Sequence, residues 1–526
     1  MVVPVLLLLA GVQVSAPQAQ DRYGLVLVER GDTTAIERVT RERGALRAEV
    51  LVPNRARLVV AARTDSLGCV TEADVRVFPW GATDGATPAR RVNVRLVDDS
   101  VRVEASARGA TQSAARAYPQ GRFVQADESI AAASLLLECA RGMRTPGVDS
   151  VVLPVVAFPG LRLTSLRVRW VGDSAMIVGR DTSWAYLDRA GALSRMVVGG
   201  GTLVVHRVSA RDLDAMSFAA TDYSAPAGAP YRAETVRVPV SADIVLAGTL
   251  TLPAGAAGRV PAVVTISGSG PQDRDSYASV AGGWRPFRQL ADTLARRGVA
   301  VLRLDDRGVG GSTGDYGANT ERTAAADVRA AVAFLRARPD IAAGRIAVLG
   351  HSEGARVAML VASQDRALAA VALLSGAADP RAAYRAQAVW LAEHGPRGGP
   401  SRDSVIAAVD RQMDSLAAVL PGEVLRWDAA GLARLIRAPV GMFQGATDRQ
   451  VPADQADSLG ALFRRARNRD VTVRVFPDRN HLLVRDPDGD FLRYDRLASA
   501  LLDSEVLGTI SDWLVSKLGE PSRGRR

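Results

Sequence analysis

A serine lies between two glycines at the turn from a strand-like segment into a helix-like segment. Residues 350–354 read Gly-His-Ser-Glu-Gly, follow the apolar run 345–349 and precede the helix-forming run 355–360. In this context the spacing predicts a sharp turn that presents the hydroxyl of Ser352 as a nucleophile. Glycines suit such a turn because its strained backbone brings strand and helix too close for larger side chains.

A second stretch has the same spacing of serine and glycines, at residues 310–314 around Ser312. Residues 305–309 separate it from the preceding strand-like run, and Asp315 rather than a helix follows it. We therefore expect Ser312 to be a loop residue without a catalytic role. The same loop has Thr313 at the third glycine position of a dinucleotide-binding fingerprint, so the sequence excludes an NAD site and indicates no cofactor.

A serine hydroxyl becomes a nucleophile at neutral pH only when a base, itself oriented by a carboxylate, takes its proton. The chain order serine, acid, histidine predicts Asp448 as the acid and His481 as the base. Both residues follow apolar runs, at 439–444 and 471–476, as expected for side chains at the carboxyl ends of parallel strands.

Other residues are open to the same roles but occupy less suitable positions. His351 precedes the nucleophile, and its side chain is expected to leave the turn in another direction. His394 lies in a predicted helical lid, and His206 belongs to the N-terminal half. Asp454 and Asp478 are the alternative acids.

The tetrahedral intermediate of acyl transfer needs two hydrogen-bond donors for its oxyanion. The backbone N–H of Glu353, immediately after the nucleophile, is the first candidate. The second is expected in the loop after an early strand, where residues 267–271 read Ser-Gly-Ser-Gly-Pro, and we choose the N–H of Ser269. The glycines of this loop let its backbone approach a substrate closely.

The spacing of apolar residues divides the chain into two parts. Residues 21–222 contain short alternating runs separated by turn signals, which predicts an antiparallel β-rich domain with one helix at 126–141. The small, Pro- and Gly-rich residues 222–230 mark the boundary. From 231 to 519 apolar runs alternate with helical stretches, which predicts an α/β domain with a mainly parallel sheet and helices on both faces. The alternation stops at about 380–437, where a helical lid is predicted.

Together these features resemble the α/β-hydrolase superfamily and, within it, the bacterial EstD-like carboxylesterases. The resemblance covers residues 231–519 and implies a serine hydrolase that cleaves a small-molecule carboxylic ester. It rests on residues 266–275, 305–312, 350–354, 480–482 and Trp513. The site residues that it implies are the triad Ser352, Asp448 and His481 and the oxyanion donors Ser269 and Glu353.

Two other functions stay open at this point. Relatives of this fold include prolyl-oligopeptidase-like and proline-iminopeptidase-like peptidases, so the alternative is a serine peptidase with the same triad. In that case Asp273, Asp275 or carboxylates of the lid would hold the peptide terminus. A non-catalytic binding protein is less favoured because every expected catalytic position is filled.

The composition excludes several classes of enzyme. The chain has 526 residues and a net charge of +10, yet Lys517 is its only lysine. P-loop nucleotidases, protein kinases, pyridoxal-phosphate enzymes and Schiff-base aldolases all need a lysine within a catalytic domain. The arginines are interspersed with acidic residues along both halves, so no nucleic-acid partner is predicted.

The N-terminal residues are typical of an exported protein. An apolar run at 2–12 precedes small-residue cleavage patterns, so residues 1–19 are predicted to be a signal peptide that is too short to span a membrane. We therefore expect a periplasmic or extracellular protein.

In an oxidising compartment Cys69 and Cys139 are predicted to form a disulfide. The dispersed histidines and cysteines indicate no metal site. Residues 520–526 form a basic tail, and the sequence leaves open the oligomeric state and the role of the β-rich domain.

Overall fold

The structure, a computed structural model, describes residues 21–519 except for short internal segments. The segments outside the description are 30–31, 54–55, 80–86, 89, 108–109, 118–122, 125–130, 158–161, 173, 179–181, 190, 199–202, 216–220, 256–257, 279–280, 282, 315, 317–318, 395–400 and 420–426. The predicted signal peptide at 1–19 and the basic tail at 520–526 lie outside the described residues.

The N-terminal part is a β-rich unit with two helices. Its strands are β1 (Asp21–Glu29), β2 (Asp32–Glu42), β3 (Ala45–Val52), β4 (Ala56–Thr64), β5 (Val70–Pro79), β6 (Arg90–Val97), β7 (Ser100–Ala107), β8 (Ala110–Ala117), β9 (Phe123–Val124), β10 (Ser150–Ala157), β11 (Arg162–Val171), β12 (Ser174–Val178), β13 (Thr182–Leu187), β14 (Leu193–Val198) and β15 (Leu203–Ser209). The helices are α1 (Ala131–Gly142) and α2 (Ala210–Ala215).

These 15 strands form one sheet in the order β8-β7-β6-β5-β4-β3-β2-β1-β15-β14-β13-β12-β11-β10-β9. Consecutive strands pair antiparallel from β1 to β8 and from β10 to β15. The two halves of the sheet are joined where β1 pairs antiparallel with β15. Only the short β9 pairs in parallel, with β10, among the described strands of this sheet. The predicted antiparallel β-rich domain is confirmed.

One face of this sheet and helix α1 share a hydrophobic core. Alternate side chains of β4, such as Val60 and Ala62, turn inward, as the period of two in a strand requires. They belong to the same buried cluster as Leu136 of α1 and Val205 of β15. The helix is described from Ala131 onward, and the first residues of the predicted helix, 126–130, lie outside the description.

A disulfide and a buried hydrogen bond are among the contacts that fix helix α1 to the sheet. Cys139 in the helix forms a disulfide with Cys69, which immediately precedes β5, and the two Cα atoms are 4.4 Å apart. The fully buried carboxylate of Glu37 accepts a hydrogen bond from the backbone N–H of Ala131 at 3.0 Å, where the first turn of a helix has free donors. The predicted pairing of the two cysteines is confirmed.

The C-terminal part alternates strands and helices. Its strands are β16 (Tyr231–Pro239), β17 (Val245–Pro253), β18 (Val260–Ile266), β19 (Ala300–Leu304), β20 (Ile341–His351), β21 (Ala370–Leu374), β22 (Val440–Gly445) and β23 (Val471–Phe476). Its helices are α3 (Pro286–Ala295), α4 (Glu321–Ala337), α5 (Glu353–Gln364), α6 (Pro380–His394), α7 (Arg402–Val419), α8 (Ala429–Leu435), α9 (Asp454–Arg465) and α10 (Ser504–Leu518), with a short 3-10 helix at Phe491–Arg496.

The eight strands form a second sheet in the order β16-β17-β19-β18-β20-β21-β22-β23. An antiparallel hairpin, β16 and β17, begins the sheet, and β18 to β23 are parallel. All seven residues of β18 are buried, as expected for a strand covered on both faces. Helices α4, α5, α8 and α9 cover one face, and α3 and α10 cover the other.

The predicted lid region contains two long helices between β21 and β22. Arg385 of α6 forms a paired ion contact with Asp410 of α7, with N–O distances of 2.7 and 2.8 Å, and Arg381 of α6 contacts Asp414 of α7 at 2.7 Å. The two helices thus form a hairpin held together by charge pairs.

Lys517 lies in the last turn of α10, where it forms an ion pair with Asp470 just before β23, with N–O distances of 2.8 and 2.6 Å. Among the described helices, none is long and apolar enough to cross a membrane.

Candidate active site

Ser352 occupies a strained turn between β20 and α5. Its backbone angles are φ 57° and ψ −118°, in a region that L-residues rarely adopt. A Cβ atom added to Gly350 would overlap the carbonyl oxygen of Gly354, and one added to Gly354 would overlap the carbonyl oxygen of Ile266. The two glycines are therefore required by the close approach of strand and helix, as the sequence indicates.

The three residues predicted as a triad are hydrogen-bonded in series. The Nε2 atom of His481 lies 2.9 Å from the hydroxyl oxygen of Ser352. Its Nδ1 atom lies 2.8 Å from a carboxylate oxygen of Asp448. Ser352 follows β20, Asp448 follows β22 and His481 follows β23, so the carboxyl ends of three parallel strands bring the side chains together.

The carboxylate of Asp448 is buried and fully engaged. One oxygen accepts hydrogen bonds from His481 and from the amide of Gln444, both at 2.8 Å. The other accepts the backbone N–H groups of Gln450 and Val451, each at 2.8 Å. These four donors fix the plane of the carboxylate and therefore the orientation of the imidazole.

The backbone of His481 is held by two side chains from neighbouring strand ends. Its carbonyl oxygen lies 2.9 Å from Nε2 of His351 and 2.9 Å from the hydroxyl of Ser375. Burial, together with the neighbouring His481, lowers the pKa of His351 to about 3, although the bond to the His481 carbonyl opposes the shift. His351 is therefore neutral at physiological pH and donates from Nε2 to the carbonyl.

The sequence does not indicate this contact of His351, nor those of Ser375 and Gln444. The ring of His351 lies 5.0 Å from that of His481 and 5.1 Å from that of Trp284. Nothing in the spacing of these residues indicates where their side chains meet, because the contacts join strand ends that are far apart in the chain.

The loop predicted to supply the second oxyanion donor lies beside the nucleophile. A Cβ atom added to Gly268 would lie 3.3 Å from the Cβ of Ser352. Gly270 has a φ of 88°, which favours glycine. Glu353 begins α5, so its N–H belongs to the first turn of a helix, where backbone donors lack intrahelical partners. The structure thus places the loop of Ser269 next to Ser352, and it places Glu353 in the first turn of α5.

The alternative triad residues occupy other places. Asp454 begins α9, and both Asp454 and Asp478 are exposed, whereas Asp448 is 2% exposed. His206 lies in β15 of the N-terminal sheet, and His394 is the last residue of α6.

Ser312 has a structural contact instead of a catalytic one. Its hydroxyl donates to the carbonyl of Asp305 at 2.8 Å and accepts the N–H of Ala247 at 2.9 Å. These bonds tie the loop after β19 to β17, in agreement with its prediction as a loop residue.

The acids that the peptidase alternative would use are committed to internal contacts. Asp275 is fully buried and forms a direct ion pair with Arg303. Asp273 accepts the phenol hydroxyl of Tyr223 at 2.9 Å and the backbone N–H of Asp275 at 3.1 Å. Neither carboxylate is available to bind a substrate amine.

An open cleft lies next to the loop that carries Asp448. Its volume is about 790 Å³, and helix α6 forms one wall. The lining residues are Trp390, Glu393, Arg449, Asp486, Pro487, Asp488, Asp490, Arg493 and Leu497. Among the described residues, no group of three or more His, Cys, Asp or Glu side chains is arranged to hold a metal ion.

The part of the chain that contains this site is similar in sequence to known proteins. The family model of X-Pro dipeptidyl-peptidases (S15 family) matches residues 243–430. The esterase EstD of Thermotoga maritima is 27% identical over 279 residues, which cover 51% of this chain and 65% of EstD. The C-terminal part of the chain is therefore similar to the S15 peptidases and to EstD, and the resemblance to EstD-like esterases that the sequence motifs predict is confirmed.

The chain also matches a second relative over a shorter stretch. An uncharacterized protein of Mycobacterium tuberculosis is 33% identical over 146 residues, which cover 26% of this chain and 47% of that protein. The chain therefore spans less than two thirds of the length of either relative.

Two solved esterases match as well. Est1E from Butyrivibrio proteoclasticus has a TM-score of 0.35 and 16% identity, over 54% of this chain and 98% of Est1E. The Pyrococcus furiosus esterase Pf2001 has a TM-score of 0.41 and 17% identity, over 58% of this chain and 97% of Pf2001.

Proposed function

We propose that the α/β-hydrolase domain is a serine hydrolase that cleaves carboxylic esters through an acyl-enzyme. The observation that carries the proposal is the continuous hydrogen-bonded series from Ser352 through His481 to Asp448, at 2.9 and 2.8 Å. The similarity to the esterase EstD supports an ester as the substrate.

The first half of the reaction forms the acyl-enzyme. The hydroxyl oxygen of Ser352 attacks the ester carbonyl while His481 takes its proton, and Asp448 stabilises the resulting imidazolium. The N–H groups of Ser269 and Glu353 donate to the oxyanion of the tetrahedral intermediate. When the intermediate collapses, the C–O bond to the alcohol breaks and His481 returns the proton to the leaving alkoxide.

The second half releases the acid. His481 takes a proton from water, the hydroxide attacks the acyl carbonyl, and the bond to Ser352 breaks as the serine oxygen regains the proton. No cofactor or metal enters either half, because each proton moves between Ser352, His481, water and the alcohol.

The test is hydrolysis of short-chain and long-chain p-nitrophenyl esters by the protein and by Ser352→Ala. We expect ester turnover by the protein, background rates for the variant, and covalent labelling of Ser352 by a fluorophosphonate probe. Circular dichroism of the variant checks that its fold is intact. Turnover by Ser352→Ala, or failure of the probe to label the protein, would contradict the assignment and would revive the non-catalytic binding hypothesis.

A serine peptidase is the second candidate, because the S15 family model matches residues 243–430. The chemistry differs only in its leaving group, an amine in place of an alcohol. Since Asp273 and Asp275 are occupied, the remaining carboxylates for a peptide amino terminus include Glu393 of helix α6, which lines the cleft. Rates on Ala- and Pro-anilides beside the esters decide between the two, with Glu393→Gln as the variant expected to raise the KM of a peptide substrate only.

Helices α6 and α7 are proposed to act as the lid of the site. Trp390 of α6 lies with its ring centroid 5.1 Å from that of Phe491, in the segment after His481. Replacing Trp390 by Ala is expected to raise the KM of long-chain esters severalfold and to leave acetate esters unchanged. Tyr384→Ala, on the same helix and 40% exposed, is the matched control. Equal effects on both chain lengths would count against a lid.

Export to the periplasm or the medium is also proposed, on the apolar residues at 2–12 and the disulfide between Cys69 and Cys139. Mass spectrometry of the protein from its native cells is expected to find a mature N-terminus near residue 20 and no free thiol. An intact Met1 with two reduced cysteines would overturn this assignment.

A further inference from the structure

A partly buried carboxyl group joins the two ends of the loop that carries Ser269. The hydroxyl of Ser267 lies 2.5 Å from one carboxyl oxygen of Asp306, and the backbone N–H of Gln272 donates to the other at 2.9 Å. The backbone N–H of Asp306 donates in turn to the carbonyl of Gln272 at 3.1 Å. Three hydrogen bonds therefore fix both ends of the loop to one residue.

The hydrogen bonds from Asp306 to Ser267 and Gln272 form a clamp on this loop. Through Gln272 the clamp also reaches the carbonyl group of Ser269, the residue whose N–H is the proposed oxyanion donor. The side-chain amide of Gln272 donates to the carbonyl of Ser269 at 2.9 Å, so the same residue that Asp306 holds also holds Ser269. Gly268 in this loop approaches the Cβ of Ser352. A small displacement of the loop would therefore change the position of the Ser269 N–H relative to the reacting carbonyl.

We propose that Asp306 is a positioning residue for the oxyanion hole, and that its carboxyl group must be protonated for the site to be active. The inference rests on the proposed function, since it concerns the N–H donor that stabilises the oxyanion. Asp306 touches neither substrate nor nucleophile; it acts through Ser267 and Gln272.

The surroundings of Asp306 favour the neutral carboxyl. It borders a cavity of about 50 Å³, and burial raises its pKa to about 8, although the bonds from Ser267 and Gln272 oppose the shift. The charges of Asp305 and Glu353 raise the pKa further.

The charged and titratable groups around Asp306 come from several elements. They are Asp305 and Arg307 of the same segment, Arg274, Tyr316, Asp327 of α4 and Glu353 of α5. Arg274 is paired with Asp305, and Arg307 is paired with Asp327. Among the described residues, no cation lies within ion-pair distance of Asp306.

Ionisation of Asp306 places a negative charge next to the loop whose N–H must donate to an oxyanion, and such a charge opposes the transition state. The pH dependence therefore has a definite sign. Below about pH 8 the carboxyl is neutral and the site is active; above it the ester rate falls. With a pKa of about 8, kcat/KM is expected to drop about tenfold between pH 7 and pH 9.

The experiment measures kcat/KM for p-nitrophenyl acetate from pH 6 to 9.5, with the uncatalysed rate subtracted. Asp306→Asn keeps a neutral group of the same shape, so it is expected to retain activity at pH 7 and to lose the decline above pH 8. Asp306→Ala removes the clamp and is expected to lower kcat about 10²-fold, the typical effect of losing one oxyanion donor. Asp327→Asn, on the same cavity but bonded to Arg307, is the control and should keep the wild-type pH profile.

Ser267→Ala is a milder variant in case Asp306→Ala does not fold. The Ser267 hydroxyl stabilises the carboxylate and lowers its pKa, so its removal is expected to shift the alkaline decline to higher pH. Coincident pH profiles of the protein, Asp306→Asn and Ser267→Ala would overturn the proposal, as would wild-type kcat in Asp306→Ala.

A second readout separates this inference from the proposed function. Because the folded pKa of Asp306 lies above its unfolded value, ionisation destabilises the folded protein between about pH 4 and pH 8. The Tm of Asp306→Asn minus that of the protein should therefore increase over this range and level off above it. A constant difference in Tm would contradict the protonated state, whereas absence of ester turnover would contradict only the proposed function.

Discussion

At the scale of single residues, Asp448 differs from a surface acid in the number of donors around it. Both of its oxygens accept two hydrogen bonds, one pair from side chains and one pair from the backbone. An asparagine at this position would turn its NH2 group toward N–H donors in either orientation. The protein therefore depends on a carboxylate here, and the amide is not an equivalent replacement.

Asp448→Asn is expected to lower kcat for esters about 10⁴-fold, the loss typical of this change in a serine triad. It should also cost about 1 to 3 kcal/mol of unfolding free energy, because a buried donor loses its acceptor. Ester kinetics and urea denaturation measure the two effects. Asp478 is the exposed alternative acid, and Asp478→Asn should change neither kcat nor the free energy of unfolding. A large loss of kcat in Asp478→Asn would contradict the assignment of Asp448 as the acid.

His351 leads to a prediction of a different kind, because its side chain contacts the backbone of His481, the proposed base, at the carbonyl oxygen. His351→Leu removes the donor to the His481 carbonyl and should lower kcat about fivefold with little change in KM, since one hydrogen bond contributes about 1 kcal/mol. His351→Gln retains an amide donor and is expected to recover part of the loss. A rise in KM with unchanged kcat would indicate a substrate contact instead.

The same residue sets a limit on acid stability. Its folded pKa of about 3 lies below the value in the unfolded chain, so the unfolded state binds a proton more readily as the pH falls below about 6.5. Stability from this group is present above pH 6.5 and is lost as the pH falls through about 3. The Tm of His351→Gln should therefore decline less than that of the protein between pH 6.5 and pH 4.

At the scale of elements, the turn between β20 and α5 needs glycine at two positions, Gly350 and Gly354, because a Cβ atom does not fit at either. Gly354→Ala would place a methyl group against the carbonyl oxygens of Ile266 and Ser267, which are backbone atoms of β18 and of the oxyanion loop. We expect this variant to lose both stability and activity, by several kcal/mol and by at least 10²-fold in kcat, because the helix must move away from the strand. Differential scanning calorimetry and ester kinetics check this.

Gly344→Ala provides the matched control, since Gly344 lies in the same strand and a Cβ atom there has no neighbour within 4 Å. A stable and active Gly354→Ala would show that the turn tolerates a wider separation than the structure has.

The strand positions of the C-terminal domain could be predicted because apolar residues predominate in the parallel strands. The run at 471–476 is β23 itself, and that at 345–349 lies within β20. The position of Ser352 could be predicted because glycine spacing and strand–turn–helix order are local properties of the chain. Asp448 and His481 followed from their places after two such runs.

The supporting contacts could not be predicted, because they depend on how strand ends meet in space. Gln444 lies inside the apolar run that becomes β22, and nothing local indicates that its amide reaches Asp448. The strand order of the 15-stranded sheet could not be predicted either, because β1 pairs with β15, which lies at the other end of the domain's sequence. Side-chain alternation predicts strands but does not specify their partners.

At the scale of the whole molecule, the two sheets lie in separate stretches of the chain, and the disulfide belongs to the first. Cross-linking Cys69 to Cys139 closes a loop with a sequence separation of 70. By the chain-entropy estimate such a loop contributes about 4 kcal/mol to the stability of the part that contains it. The contribution should therefore be confined to the unfolding of the N-terminal part.

The double substitution Cys69→Ser and Cys139→Ser is expected to lower the Tm of the N-terminal transition and to leave kcat/KM for esters at the wild-type value. Calorimetry and ester kinetics on the same preparations measure both. The unmodified protein treated with a reductant should behave like the double variant. A parallel loss of ester activity would mean that the α/β-hydrolase domain depends on the folded state of the N-terminal part.

The single lysine has a practical consequence for handling the protein. Reagents that acylate primary amines can modify the chain only at Lys517 and at the terminal amino group. Lys517 lies on the last helix, in a charge pair with Asp470, and no residue of the triad or of the oxyanion loop carries an amine. Attachment to an amine-reactive support therefore immobilises the molecule through one or two defined points, and leaves Ser352, Asp448 and His481 unmodified.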